Sequence, residues 1–418
     1  MELTVVELFA GVGGFRVGLN DIKSFDKNDK AIENRNWKFV WANQFEPSTK
    51  AQPAYNCYCT RFGVEHTSNI DIQEEVAHLD EDADYIPNHS LLVGGFPCQD
   101  YSVARSLSGE KGIEGKKGVL FWSIAKILHV KKPPFVLLEN VDRLLKSPSK
   151  QRGRDFGIML RTFNDEGYDV EWRVINAAEY GARQRRRRTF IFAWRKDTKY
   201  ANELSDVKIE NIIAKEGLFA KQFPINLIDT PIRTYEVTSY EDTVEMTEKF
   251  HANFENTGCM VNGEVVTFKT EPQFKEPIPL KDTLLHNVDK KFYLNGKQKE
   301  KFEYLKGSKR ITRTNAAGFT YNFSEGKIAF PENIDLPSRT MLTSEGTVNR
   351  SSHVVADLDT GAKRIITPVE AERLQHFPDN WTNTGMTDRQ RYFMMGNALV
   401  TFIINTLEPR LEEIIKAE

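Results

Sequence analysis

Cysteine is scarce in this sequence: Cys57, Cys59, Cys98 and Cys259 are the only four in 418 residues. None forms a CxxC pair and no Cys/His spacing suggests zinc, so neither a disulfide framework nor a metal site is expected. That usage fits a reducing, cytoplasmic setting. Long apolar runs are missing too. No stretch approaches the ~20 residues of a membrane span, so no membrane association is expected. The opening MELTVVELFAGVGG has no basic region ahead of its apolar run, which argues against a signal peptide. Nor is charge of one sign in excess: 57 Lys and Arg stand against 59 Asp and Glu, a net charge of -2. Nucleic-acid partners usually meet a basic protein. Here such a partner would need one local positive cleft.

What is present is a globular composition, 40% hydrophobic and 28% charged, at a length that suggests two lobes. Short apolar runs at 4–9, 38–42, 90–93, 135–138 and 189–194 are separated by helical patterns such as 47–62. They predict a Rossmann-like, doubly wound α/β sheet with both faces covered. The alternating run 168–175 reads as a strand near the sheet edge. Beyond Arg195 the texture changes, and 196–337 carries turn residues and scattered aromatics, a second, more β-rich lobe. Helical pattern returns at 368–375 and 397–416. Residues 1–195, completed by 396–418, are expected to form one lobe, and 196–395 a smaller second one.

Four segments carry chemistry. ELFAGVGGF at 7–15 follows a strand and opens a helix; Gly11, Gly13 and Gly14 let backbone approach a ligand closely. Glu7 stands in place of a phosphate-binding lysine, so this is not a P-loop, and a carboxylate beside the turn suits a cationic, amino-acid-bearing ligand better than a pyrophosphate. GGFPCQ at 94–99 puts Cys98 in a Gly/Pro-shaped turn at a strand end, a setting suited to a nucleophile. ENV at 139–141 leaves an apolar strand with a carboxylate, Glu139, which is either a desolvated proton-sharing group or an ordinary strand-end cap. QRRRR at 184–188 precedes a strand, so Gln184, Arg186 and Arg188 should share one face and Arg185 and Arg187 the other.

These segments, in this order, resemble the signature blocks of the DNA cytosine-5 methyltransferase family, of the bacterial restriction-modification type. Asp71-Ile72 resembles the acidic block beside the cofactor adenine, and GVLFW at 118–122 the block after the catalytic loop. Arg339-Thr340 with TSEG at 343–346 resembles the ninth block, and GNA at 396–398 the tenth. The likeness spans residue 5 to about 405, apart from the middle of the second lobe.

The resemblance implies an S-adenosylmethionine-dependent methyltransferase fold with a target-recognition domain. It implies that S-adenosylmethionine, leaving as S-adenosylhomocysteine, is held by Phe9, Ala10, Gly11, Gly13, Gly14, Phe45, Asp71, Ile72, Pro97, Leu120 and Asn397. Where the family places a ribose-binding Glu, this chain reads Gln44-Phe45-Glu46, and either Gln44 or Glu46 could reach the ribose. Cys98 would attack cytosine carbon 6, Glu139 would contact ring N3 and the amine, Arg188 the 2-carbonyl, and Arg186 would orient the site. Double-stranded DNA is the implied partner, touched by Gln99, Ser102, Gln184 and Arg339 and, from the donor-rich run at 306–315, by Arg310 and Arg313. Base readout and phosphate contact are equally open for that run. The segment 99–117, with Gly109, Gly112 and Gly115 as hinges and Lys111, Lys116 and Lys117 for phosphates, fits a closing lid. A monomer in the bacterial cytoplasm, with a cognate restriction endonuclease, completes the expectation. The nearest rival is a tRNA cytosine-5 methyltransferase, but the Cys-Phe-Thr signature of that branch is absent.

Overall fold

The computed structural model describes residues 1–96, 119–314 and 318–418. Pro97, Cys98, Gln99, Ser102 and the rest of the expected lid lie outside the described residues.

The apolar runs near the start form parallel strands: β1 (Thr4–Leu8), β2 (Lys38–Asn43), β3 (Thr67–Ser68), β4 (Leu91–Gly95) and β5 (Phe135–Val141), in the spatial order β3-β2-β1-β4-β5. Antiparallel β7 (Arg187–Arg195) and β6 (Tyr168–Asn176) continue the sheet beside β5. Successive side chains leave a strand on opposite faces, and the sheet builds a core on each. Val6 packs with α3 (Ile72–Ala77), α4 (Val119–Lys131) and α5 (Arg154–Asp165). Its neighbour Val5 packs with α1 (Gly14–Leu19) and the C-terminal helix Thr401–Ala417. Contact between those two helices depends on Gly18, where an added Cβ would stand 2.5 Å from Ile404 Cβ.

The sheet does not end at Arg195, where a lobe boundary was expected. After β8 (Ile225–Leu227) come β9 (Arg233–Glu236), β10 (Thr257–Val261) and β11 (Glu264–Phe268), and these last three extend it to ten strands in the order β7-β6-β10-β11-β9. β6 is therefore interior, not an edge. Its polar residues look solvent-facing in sequence because their partners lie far along the chain. Glu171 accepts from Phe219 N (3.3 Å), and Arg173 donates to the carbonyls of Ile213 (2.5 Å) and Phe223 (2.6 Å). The helix expected over 47–62 begins later, as α2 (Pro53–Phe62), because Gln52 is left-handed (φ 45°) and Pro53 starts the first turn.

Between β12 (Thr270–Pro272) and the C-terminal helix the chain packs beside the Gly-rich turn and the helices α1 and α2. Met341, Leu374, Trp381 and Tyr392 share a core with Val12, Val17 and Cys57, so this region is fastened to α1 and α2. It also holds a two-stranded ribbon, β13 (Lys309–Thr314) and β14 (Thr320–Glu325). No helix among the described residues is long and apolar enough to cross a membrane.

Candidate active site

β1 ends in a turn with Phe9 and Gly11 at positive φ (53° and 57°), and Gly13 (φ 87°) leads into α1. The turn is stitched to the end of β2, where Gln44 Oε1 accepts from Gly11 N at 2.7 Å. Phe45 follows with its ring half-exposed, and Glu46 Oε2 accepts from Ala54 N (3.1 Å) at the start of α2. Asp71 caps α3, accepting from Gln73 N at 3.0 Å. These groups enclose a cavity of about 340 Å³. Its wall includes Phe9, Ala10, Gly11, Gly14, Gln44, Phe45, Glu46, Asp71, Ile72, Leu120 and Asn397. Of the expected cofactor residues described, only Gly13 stands outside that wall. Its part is steric: an added Cβ would meet the Phe62 ring at 2.5 Å. Phe393, not anticipated, also lines the cavity. It sits one helical turn before Asn397, and that spacing could have revealed it.

Glu7 is a correction. It is wholly buried, accepts from Tyr58 Oη at 3.0 Å and is not among the residues that line the cavity. Burial pushes its carboxyl up to about 7, against the opposing effects of Tyr58 and Arg16.

The same cavity reaches Gly95 and Glu139. Those two residues are partners in the β4–β5 register. Next to them, Asn140 Nδ2 donates to Phe96 O at 2.9 Å, so the residue after Glu139 holds the chain two positions before Cys98. Glu139 is 9% exposed and lies 2.9 Å from Arg188 Nε. Burial makes its carboxyl a weaker acid, while the charges of Arg188 and Arg186 act in the opposite direction. Arg186 is buried behind this pair and donates to Met341 O (3.0 Å) and Gly396 O (2.9 Å). Desolvation, with Arg188 adding to it, pushes Arg186 down to about 9. The guanidinium thus ties the ninth and tenth blocks to the strand that carries Arg188. The alternation expected over 184–188 is present: 184 and 186 are buried, 185 and 187 exposed.

The expected DNA contacts divide. Gln184 is a correction: it is fully buried, donating to Leu374 O (3.3 Å) and accepting from Met341 N (3.0 Å), so no duplex can reach it. The alternation that aims Arg186 inward aims Gln184 inward as well. Arg339 is spent internally on Glu332, with Nη2 at 2.6 Å and Nε at 3.0 Å from its carboxylate. Arg310 and Arg313 lie on the exposed ribbon.

A twisted α/β sheet with a Gly-turn cavity opening onto a buried carboxylate–arginine pair defines an S-adenosylmethionine-dependent methyltransferase fold. The chain belongs to the C-5 cytosine-specific DNA methylase family, whose model matches residues 3–413. It is 48% identical over 417 residues to the Type II methyltransferase M.Sau3AI of Staphylococcus aureus, covering 99% of this chain and 96% of that one. It is 30% identical over 200 residues to M.HhaI of Haemophilus parahaemolyticus, covering 48% and 51% respectively. Among solved structures it resembles the S. pombe Dnmt2 methyltransferase, with a TM-score of 0.58 and 16% identity over 99% of each chain, a likeness of fold.

Proposed function

We propose that this protein methylates carbon 5 of a cytosine flipped out of duplex DNA, at a defined sequence, with Cys98 as nucleophile and S-adenosylmethionine as methyl source. The observation that carries the reading is one continuous cavity: Gly11 of the turn and Glu139 of the catalytic strand line the same space. The chain's residues fit the cofactor. The cavity is of a size that suits small ligands. Its left-handed Gly11 admits close backbone approach, Phe45 offers a ring face and Asp71 an acceptor to adenine, and Glu46 offers an acceptor for hydroxyls. Gln44 accepts from Gly11 N with its one side-chain oxygen, whereas Glu46 accepts from Ala54 N with one of two, which favours Glu46 as acceptor for the ribose. S-adenosylmethionine, when bound, supplies a methyl group activated by its sulfonium.

The residues then divide the work. Carbon 5 is a poor nucleophile in the aromatic ring, and attack of the Cys98 thiolate on carbon 6 makes it enamine-like. Glu139, kept protonated to higher pH by burial, shares its proton with ring N3 as charge develops there, and its other oxygen accepts from the 4-amino group. Thymine presents a carbonyl and an N–H at those positions and is refused. Arg188, beside Glu139, donates to the 2-carbonyl, and Arg186 positions both. Once carbon 5 is methylated, loss of its proton and departure of Cys98 restore the ring. A stacked base cannot meet these groups, so the cytosine must leave the helix.

The Type II relatives support a restriction-modification role in a bacterial cytoplasm, beside an endonuclease of the same specificity. One flipped base needs one cleft, so a monomer suffices. Transfer of labelled methyl groups to duplex DNA and to tRNA, offered separately, tests the reading. Label in duplex DNA, mapped to cytosines by bisulfite sequencing, is expected; label in tRNA alone overturns it.

A further inference from the structure

The ribbon β13–β14 belongs to none of the hydrophobic cores among the described residues. Its register sets Arg310 opposite Ser324, Thr312 opposite Asn322 and Thr314 opposite Thr320. Opposed residues share a face. These six therefore form one surface, and every one of them is exposed. The other face is only partly covered: Lys309, Ile311, Phe323 and Glu325 are half-buried, while Arg313 and Tyr321 stay exposed. Arg313 lies 3.7 Å above the Phe323 ring, and Lys309 lies 4.2 Å from the Tyr304 ring while donating to Leu305 O at 3.3 Å.

A two-stranded ribbon alone is barely stable, and here both its ends are pinned. Arg350 donates to Leu305 O (2.6 Å) and Gly307 O (3.2 Å) before the ribbon, and to Gly326 O after it. Buried Lys306 donates to Ser352 O (2.6 Å) and pairs with Glu332 (3.4 Å), which also holds Arg339. Beside Arg339, Ser338 O accepts from Arg185 N at 2.8 Å. The ribbon is thereby braced against the segment that leads into β7 and Arg188.

We infer that the Arg310–Asn322 face of this ribbon is the base-reading surface, and that it enters the major groove of the duplex next to the flipped cytosine. This rests on the reading above that the chain acts on duplex DNA. The major groove admits a two-stranded ribbon. Arg310 has the donor fork that matches guanine O6 and N7, and Asn322 the donor and acceptor that match adenine N7 and N6. Thr312 Oγ1 donates to Asn322 Oδ1 at 3.2 Å, orienting the amide and leaving that oxygen a second lone pair. Charge agrees with the occupant: Lys309, Arg310 and Arg313 stand against Glu325 alone on the two strands. Alternation along β13 separates Arg310 from Arg313, but the sharing of a face by Arg310 and Asn322 is visible only in the register.

The test uses the full-length enzyme and its Arg310→Ala, Asn322→Ala and Arg313→Ala variants on a plasmid library containing every flanking sequence. Methylated sites are mapped by bisulfite sequencing. Wild type should methylate one motif. Arg310→Ala and Asn322→Ala should each admit other bases at a single position, discrimination there falling roughly 5- to 150-fold. Arg313→Ala should keep the wild-type motif. Because the motif is read site by site, a partial loss of total activity does not mask it. If Arg310→Ala and Asn322→Ala keep the motif and Arg310→Ala instead lowers the salt slope of binding by about one, Arg310 holds a phosphate and the inference falls. If wild type methylates duplex DNA at a motif that only Arg313→Ala relaxes, the inference falls and the proposed function stands. If wild type methylates no duplex DNA, both fall.

Discussion

Arg188 Nε lies 2.9 Å from Glu139 Oε1, a pair formed across the neighbouring strands β5 and β7. Burial makes the carboxyl a weaker acid, and the guanidinium partly reverses that. Arg188 therefore helps set the pH at which Glu139 gives up its proton. Glu139→Gln, which keeps the shape but has no acidic proton to give up, should slow methyl transfer roughly 10²–10⁴-fold. Arg188→Ala should move the Glu139 limb of the kcat/KM profile to higher pH, since only desolvation and the more distant Arg186 remain. A profile that does not move would separate the pair in function.

Cys98→Ala should remove methyl transfer while cofactor and DNA still bind. Loss of a covalent nucleophile should cost several orders of magnitude, so turnover above about a thousandth of wild type would contradict the assignment. DNA carrying 5-fluorocytosine at the target should yield a denaturation-stable adduct that requires both Cys98 and the cofactor, because fluorine cannot depart as a cation. An active enzyme that forms no adduct works by another route.

Phe45→Ala should weaken binding of S-adenosylhomocysteine by about 1–3 kcal/mol, the scale of stacking a base on an aromatic ring. The ring is already half-exposed, so the melting temperature should hardly change. Titration calorimetry reads the effect, and an unchanged Kd would move the adenine elsewhere in the cavity.

Glu7 links folding to pH. Its carboxyl is raised from 4.5 to about 7 by burial. Between those values the folded protein keeps a proton that the unfolded chain has released, so stability is fully present below about pH 4.5 and is lost as pH rises through 7. The shift corresponds to about 3 kcal/mol across that window. Glu171, raised to about 7 for the same reason, acts in the same direction. Glu7→Gln should flatten the decline measured by urea unfolding at pH 5, 6.5 and 8, without abolishing it. A slope equal to wild type would show that Glu7 is ionised in the fold.

The buried strands were legible because a strand covered on both faces is a near-continuous apolar run, as TVVEL and FVLLENV are. The cavity residues were legible for another reason: motifs such as 9–14, 44–46 and 71–72 are contiguous, and each lies at a strand end or helix start, where local geometry faces the site. The role of Asn140 was not legible because its partner, Phe96 O, is remote in sequence, and that of Phe393 because it follows only once Asn397, one turn on, is known to face the cavity.

By itself the sequence determined the chemistry available: a thiol in a strand-end turn, a carboxylate leaving an apolar strand, alternating arginines and a Gly-rich turn, all set by short-range spacing. Only the tertiary structure decided which of these groups share a space. Extension of the sheet through β10, β11 and β9 depends on pairing between segments some 90 residues apart, such as Met260 with Val170. The inward turn of Gln184 depends on Met341 and Leu374, and the sharing of one face by Arg310 and Asn322 on the register with β14. Local periodicity says that alternate residues part company, but which of the two faces is buried is settled by what packs against them, and that comes from elsewhere in the chain.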